Sequence, residues 1–390
     1  MQILSYISIS LAGPITHRRC VVRRTSLTVA INMFSISIIY WSILALAIPA
    51  TCTSAEAISP VKAGAKEILN DHLFRTNVVH QFPAPSWAEN LAVRKNGDLL
   101  VTMIAPAADL YYIANPQSSK PNTTLIHSFT GVESLLGIAE IKPDFFMVVG
   151  TNASGVVAIP GTGYLWSVDF SASHSSPIIK KVTALPQVHY PNGMAALPEN
   201  DDAVLLADSI LGCVWRIDIS TGAVNMALQL PQMVPPSSAP WPIGINGVHV
   251  RQGFLSPTML YWSNSFETTI YRLPIDGRTG APLKQHDTPQ IAARAVEDYL
   301  FVDDFAIDKE GGIWATANFN NTILYAPAGS QTLHRAIGTE DSLTMAGCTS
   351  CAFGRGFEET HVLYVTNSGA EVYPVNGTLA QGANIVTVVV

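Results

Sequence analysis

The chain has 390 residues, of which 48% are hydrophobic and only 13% charged, and its formal net charge is −7. That charge share is about half that of an ordinary soluble domain and describes a chain with a large buried core. The acidic balance, with no Lys/Arg-rich run beyond residue 24, excludes a nucleic-acid-binding face, which has to be basic.

Taken from the N-terminus, the first element is a targeting segment. A basic stretch, "HRRCVVRR" (17–24), precedes the apolar run "MFSISIIYWSILALAIPA" (33–50), and small residues follow, "TCTSAEA" (51–57). This is the order of a secretory signal. Residues 1–55 are therefore read as the targeting segment, with its apolar core at 33–50, and 56–69 as a linker. Met33 alone would start a compact signal, and an uncleaved segment would act as the chain's one membrane contact. Four N-x-S/T sequons, at Asn122, Asn152, Asn320 and Asn376, suit glycosylation on a route to the secretory lumen or the exterior. Of five cysteines, Cys20 and Cys52 lie in or beside the signal, leaving Cys213, Cys348 and Cys351. "CTSC" (348–351) sits in no βαβ context and has no second CxxC, so neither a redox motif nor zinc is expected. These three read as small core residues with room for one disulfide.

After residue 80, short runs of Val, Ile, Leu, Tyr and Trp alternate with Gly, Pro, Asn and Asp, the pattern of strands and turns. One unit recurs. Clear copies are "ENLAVRKNGDLLVT", "NGMAALPENDDAVLLADSILGCVWRIDISTG", "NGVHVRQGFLSPTMLYWSNSFETTIYRLPIDG" and "DFAIDKEGGIWATANFNNTILYAPAG"; weaker ones begin "LGIAEIKPDFFMVVG" and "TSCAFGRGFEETHVLYVTNSG". Six copies of roughly 40–60 residues match the blade period of a β-propeller. The expected fold is all-β: one six-bladed β-propeller over 70–390, four short antiparallel strands per blade, with 70–87 supplying an outer strand against the last blade. Trp166, Trp215, Trp262 and Trp314 fall inside strands and read as packing between blades.

The first position of each copy holds Glu89, Leu136, Asn192, Asn246, Asp304 and Thr349. The start of each innermost strand faces the central channel, so equivalent residues converge on the axis. Two carboxylates and two amide oxygens, Glu89, Asn192, Asn246 and Asp304, form an oxygen-donor set suited to one Ca²⁺. The alternative is that the two asparagines only make Asn-Gly turns and the acids cap loops.

This register, Glu, Asn-Gly, Asn-Gly and Asp before an apolar-Ala-apolar run, resembles the senescence marker protein/gluconolactonase family over roughly residues 85–380. The resemblance implies a propeller whose axial divalent metal polarises a lactone carbonyl, with Glu89, Asn246 and Asp304 as ligands and Asn192 as ligand or substrate contact. "DDFAID" (303–308) departs from the family's usual "DGMAVD": Phe305 is read as replacing the glycine beside Asp304 and narrowing the mouth, and Asp303 as adding a second carboxylate. "WAENLAVRKNGDLLVT", "HYPNGMAAL" and "CAFGRG" look like a fungal branch that includes the hetero-Diels–Alderases of tropolone–sesquiterpene (meroterpenoid) biosynthesis. That branch implies polyketide and terpene small-molecule substrates. A hydroxymethyl tropolone would lose water to a quinone methide, which is then held against a humulene-type alkene. His189, Tyr190 and Asp303 are the candidate catalytic groups, and Trp87, Asn192, Trp241, His249 and Phe305 the candidate pocket. The alternative enzyme is a secreted metal-dependent lactonase or esterase with His189, His249 or Asp303 as base. A binding propeller with a wet, shallow axial site is the non-enzymatic reading. No G-x-S-x-G elbow occurs, so a serine hydrolase is not expected; no phosphate-binding glycine loop occurs either, and no organic cofactor is expected.

Overall fold

The computed structural model describes residues 74–390 apart from 155–156, 174, 254–255, 285, 297, 357–358 and 379. The expected targeting segment (1–55) and linker (56–69) lie outside the described residues. All described residues fall in one compact unit, Lys66–Val390.

Strands follow one another with little else between them. An outer strand, β1 (Arg75–Gln81), opens the described chain. Sheet 1 comprises β2 (Trp87–Val93), β3 (Leu99–Ala105), β4 (Asp109–Ala114) and β5 (Asn122–Ser128). Sheet 2 comprises β6 (Ser134–Lys142), β7 (Phe145–Thr151), β10 (Gly163–Asp169) and β11 (Ile178–Leu185), with a ribbon of β8 (Ala153–Ser154) and β9 (Val157–Ala158) in its loop. Sheet 3 runs β12 (Pro191–Leu197), β13 (Asn200–Asp208), β14 (Cys213–Asp218) and β15 (Val224–Gln229). Sheet 4 runs β16 (Ile245–Arg251), β17 (Met259–Asn264), β18 (Thr269–Pro274) and β19 (Gln290–Ala295). Sheet 5 runs β20 (Phe305–Ile307), β21 (Ile313–Ala317), β22 (Thr322–Ala326) and β23 (Thr332–Gly338). Sheet 6 holds β24 (Cys348–Phe353), β25 (Val362–Asn367) and β26 (Asn384–Val389), completed by β1, which pairs antiparallel with β26 from Arg75↔Val389 to Gln81↔Asn384. The segment expected to close the last sheet from the N-terminal side does so. Sheets 4 and 5 also touch at their outer edges through a short parallel pairing, Arg294↔Thr332 and Ala295↔Leu333.

The apolar residues explain why these sheets assemble. Six apolar clusters each lie between two successive sheets. Leu100, Leu135, Phe146 and Trp166 join sheets 1 and 2, and Met147, Leu165, Leu206 and Trp215 join 2 and 3. Leu205, Val214, Leu260 and Trp262 join 3 and 4, and Tyr261, Ile270, Ala315 and Leu324 join 4 and 5. Trp314, Ile323, Leu363 and Val386 join 5 and 6, and Leu99, Val101, Tyr364 and Ile385 join 6 back to 1. A four-stranded sheet is apolar on both faces here, so it is stable only between two neighbours. The ring closes because every sheet has two. The four strand-interior tryptophans sit in these interfaces, as expected from their spacing. Cys213, Cys348 and Cys351 are buried and reduced, so the room left for a disulfide among them is not used. Burial pushes the Cys213 thiol up to about 12.

Candidate active site

Hydroxyl groups fix the register of the inner strands. In four sheets a Ser or Thr on the second strand donates to the first inner-strand residue of the next sheet. Thr102 Oγ1 reaches the Leu136 carbonyl at 2.6 Å, Ser263 Oγ that of Asp303 at 2.6 Å, Thr316 Oγ1 that of Thr349 at 2.9 Å, and Thr366 Oγ1 that of Glu89 at 3.2 Å. The row of first positions is therefore Glu89, Leu136, Asn192, Asn246, Asp303 and Thr349. This corrects the sequence expectation by one residue: Asp303 belongs to the axial row, and Asp304 is its successor. Consecutive strand residues point to opposite sides, so the two carboxylates part company.

In three sheets the residue that follows the second strand anchors the first-position side chain from outside. Asn192 Nδ2 donates to Ser209 Oγ (3.2 Å), Asn246 Nδ2 to Ser265 Oγ (3.1 Å), and Asp303 Oδ2 accepts from Asn318 Nδ2 (2.8 Å). The polarity is matched at each place, since an amide nitrogen needs an acceptor and a carboxylate needs a donor. Asn246 Nδ2 also reaches Asp303 Oδ1 at 2.7 Å, and Trp87 Nε1 donates to Glu89 Oε2 at 2.7 Å.

Electrostatically this floor is acidic and dry. Glu89 is 7% exposed and Asp303 4%. Burial, and then the Asp304 charge, push Glu89 up to about 7 despite the Trp87 bond. Burial, and then the Glu89 charge, hold Asp303 well above the usual carboxylate range. Tyr190, brought beside both acids, has its phenol raised by burial and then by their charges, so it is an O–H donor at any working pH. Among the described residues no three His, Cys, Asp or Glu side chains converge. A cation on the axis would therefore draw on amide oxygens as well as carboxylates. In kind, the donors present fit a hard divalent ion: the carboxylates of Glu89 and Asp303 and the amides of Asn192 and Asn246, two negative charges with no soft ligand.

The second positions form another tier. Gly137, Gly193 and Gly247 occupy it in three sheets, Asn90, Asp304 and Ser350 in the others. A Cβ on Gly193 would lie 2.7 Å from the Asn246 carbonyl oxygen, and one on Gly247 would overlap the Asp304 carboxylate. Asp304 uses the room that Gly247 leaves. Its Oδ2 accepts from Ser350 Oγ (2.9 Å) and Asn90 Nδ2 (3.2 Å), and its Oδ1 from the Phe305 N–H (2.8 Å) and His249 Nε2 (2.8 Å).

Above the acids lies an aromatic mouth that the repeat did not reveal. Strands alternate in direction, so the loops after each second and each fourth strand return to the end where inner strands begin. Those loops carry Trp241, Phe266, Phe301, Phe319 and Tyr373. Phe266 meets Phe301 edge-on at 5.0 Å, Phe301 stacks on Phe319 at 4.7 Å, and Phe319 stacks on Tyr373 at 5.5 Å. Trp241 packs on Phe266 and Phe319 at 6.1 and 5.7 Å. Phe301 is buried with Tyr190 and Met194, while Trp241, Phe266 and Phe319 are only partly covered.

Other expected site residues fall elsewhere. Phe305 is fully buried in the third-position row with Leu91, Ile138, Met194, Val248 and Cys351, so it packs between sheets 4 and 5 and does not wall the mouth. His189 is half-buried and contributes its backbone N–H to Asp208 (2.8 Å); that carboxylate also takes the Tyr190 N–H and Trp215 Nε1. Asn320 is buried and accepts the Leu300 N–H, which leaves no space for a glycan in the folded chain. Asn122 and Asn376 are exposed and Asn152 half-exposed.

No family model matches the chain. It is 31% identical over 316 residues, 75% of this chain and 86% of the relative, to a Phoma sp. protein described as "Putative hetero-Diels-Alderase". A Sarocladium schorii protein of the same description is 28% identical over 327 residues, covering 77% and 79%. Among solved structures, a luciferin-regenerating enzyme superposes with a TM-score of 0.57 at 13% identity, covering 81% of this chain and 95% of that one. The calcium-binding protein regucalcin of Agrobacterium tumefaciens gives 0.53 at 14% identity, with the same coverage. These likenesses establish the propeller fold. The identity to the Phoma protein goes further than fold: the chain belongs to the hetero-Diels-Alderase family.

Proposed function

We propose that the ring of six sheets is a six-bladed propeller whose axial mouth catalyses a hetero-Diels–Alder reaction in secondary metabolism. The reactants on this reading are a tropolone quinone methide, formed by dehydration of a hydroxymethyl tropolone, and a humulene-type sesquiterpene. The observation that carries the reading is the pairing, at one end of the ring, of an aromatic mouth with a buried acidic floor, in a chain of this family. Trp241, Phe266 and Phe319 offer apolar faces to a hydrocarbon alkene. Tyr190 offers a hydroxyl donor to the oxygenated partner. Holding the two in attack geometry supplies part of the barrier, and keeping water out protects the electrophile.

Glu89, Asn192, Asn246 and Asp303 would hold a divalent ion such as Ca²⁺. When bound, it would offset the two buried charges and polarise a substrate oxygen. The N-terminal signal order and the exposed sequons support a secretory route and a small-molecule partner met in a lumen or outside the cell. A metal-dependent lactonase or esterase is the second reading, favoured by that same oxygen-donor set. The test is to incubate the purified protein with hydroxymethyl tropolone and humulene and to resolve the adduct on a chiral column. One enantiomer in excess supports the proposal; racemic adduct at the background rate refutes it.

A further inference from the structure

Two residues before the floor, counted back along each chain toward the mouth, stand Trp87, Ser134, Tyr190, Gly244, Phe301 and Gly347. Sheets 1, 3 and 5 therefore present a ring at this level, and the sheets between them a serine or a glycine. Phe301 places the tier at the foot of the mouth, since it stacks on Phe319 at 4.7 Å and meets Phe266 at 5.0 Å. The three rings are not equivalent. Phe301 is 5% exposed and Tyr190 9%, and both are packed into the apolar cluster between sheets 2 and 3. Trp87 is half-buried and is not among the residues that pack sheet 1 against its neighbours. Among the described residues its side chain makes one polar or ring contact, the indole N–H donated to Glu89 Oε2 at 2.7 Å. The ring is thus pinned to the floor at its pyrrole edge while part of its surface stays open. The backbone before it is fixed as well: the Ser86 N–H donates to Glu371 Oε1 at 3.1 Å, and Ser86 Oγ accepts the Ala383 N–H at 2.8 Å.

Resting on the cycloaddition reading above, we propose that Trp87 is the subsite for the oxygenated partner: a flat, electron-poor ring stacks on the indole with its oxygens turned toward Tyr190 and the floor. An indole is rich in π-electrons, and a tropolone ring, drained by its carbonyl, is poor in them. The two therefore attract in an offset stack beyond the area they bury. A humulene-type terpene is aliphatic and offers no such match. It is left the rings of Trp241, Phe266 and Phe319, which pack on one another in the loops. The mouth is thereby divided into two surfaces, one for each reactant, the first tied to a strand and to the floor and the second carried on loops. A platform already held by its own N–H loses little freedom when a ring settles on it. Trp87 determines which ring is accepted; it moves no proton, and no bond is made or broken at it.

The experiment titrates tropolone into the full chain by isothermal calorimetry, with chelator present so that no bound ion contributes, and compares W87F with W87L. Both variants lose the bond to Glu89 and both keep an apolar side chain, so the difference between them reads the ring alone. Their melting temperatures check that each is folded. W87F is expected to hold tropolone within about fivefold of wild type, and W87L to bind roughly tenfold or more weaker than W87F. In steady-state assays with hydroxymethyl tropolone and humulene, W87L should raise KM for the tropolone about fivefold or more and KM for the terpene by less than about twofold. F319A should do the reverse. A W87L affinity within about threefold of W87F, wild type that binds no tropolone, or a W87L effect as large on the terpene as on the tropolone would overturn the assignment. Wild type that binds tropolone through Trp87 yet makes only racemic humulene adduct at the background rate would instead remove the cycloaddition reading and leave the subsite in place.

Discussion

Replacing Asp304 by alanine tests whether the two neighbouring acids differ as the structure requires. The Asp304 carboxylate, in a residue 4% exposed, accepts four hydrogen bonds, from Ser350 Oγ, Asn90 Nδ2, His249 Nε2 and the Phe305 N–H. Water can reach the half-exposed Asn90 and His249 after truncation, but the Ser350 hydroxyl and the Phe305 N–H stay buried. An orphaned buried donor costs about 1–3 kcal/mol; the Ser350 hydroxyl keeps Asn90 Oδ1 at 3.3 Å, so with the lost bonds D304A should lose about 2 kcal/mol or more. For a domain of this size that is a fall of roughly 3 °C or more in melting temperature. Asp303 makes the control. D303N gives up an acceptor for Asn246 and Asn318, but it also removes a charge that burial and Glu89 oppose. The two effects offset, and metal-free D303N should change by less than about 1 kcal/mol. Thermal unfolding by circular dichroism in the presence of chelator reads both. D304A melting within 2 °C of wild type, or D303N falling as far as D304A, would refute the assigned register.

Gly247→Ala should destabilise strongly, by about 3 kcal/mol or more, because its Cβ would lie 2.7 Å from Asp304 Cγ and 2.9 Å from Asp304 Cα; urea unfolding checks this. Calcium should raise the melting temperature of wild type, by the equivalent of about 2.7 kcal/mol at a hundred times Kd. D303N should abolish the response, whereas D304N should keep it. Phe319→Ala should raise KM for the terpene and lower the enantiomeric excess with little change in melting temperature. The Phe319 ring is partly exposed at the mouth, so its loss opens no sealed cavity, and chiral chromatography with steady-state rates gives the answer.

The fold was legible because repetition is visible in sequence: six copies with matching turns leave few arrangements besides a ring. The axial donors were nearly legible. Glu89, Asn192 and Asn246 stand where the repeat puts them, but "DDF" offers two acids in succession, and the apolar pattern alone chose the second. The deciding signal is the hydroxyl row, Thr102, Ser263, Thr316 and Thr366, which is present in sequence yet means nothing until its carbonyl partners are seen. Phe305 was misplaced for the same reason, since a slip of one residue moves a strand side chain to the opposite side. The aromatic mouth was not legible at all. Phe266, Phe301, Phe319 and Tyr373 sit in loops of different lengths, where no period links them. His249 at an alanine position was open to view, though its partner Asp304 was then assigned to the wrong row.

The competing activities can be set against each other on one preparation. The same purified protein is given hydroxymethyl tropolone with humulene in one vessel and a panel of aliphatic lactones in another, each with and without chelator. The account predicts adduct in enantiomeric excess, formed well above the background rate, with the lactones unconsumed. Racemic adduct at the background rate, together with chelator-sensitive lactone hydrolysis, would contradict it.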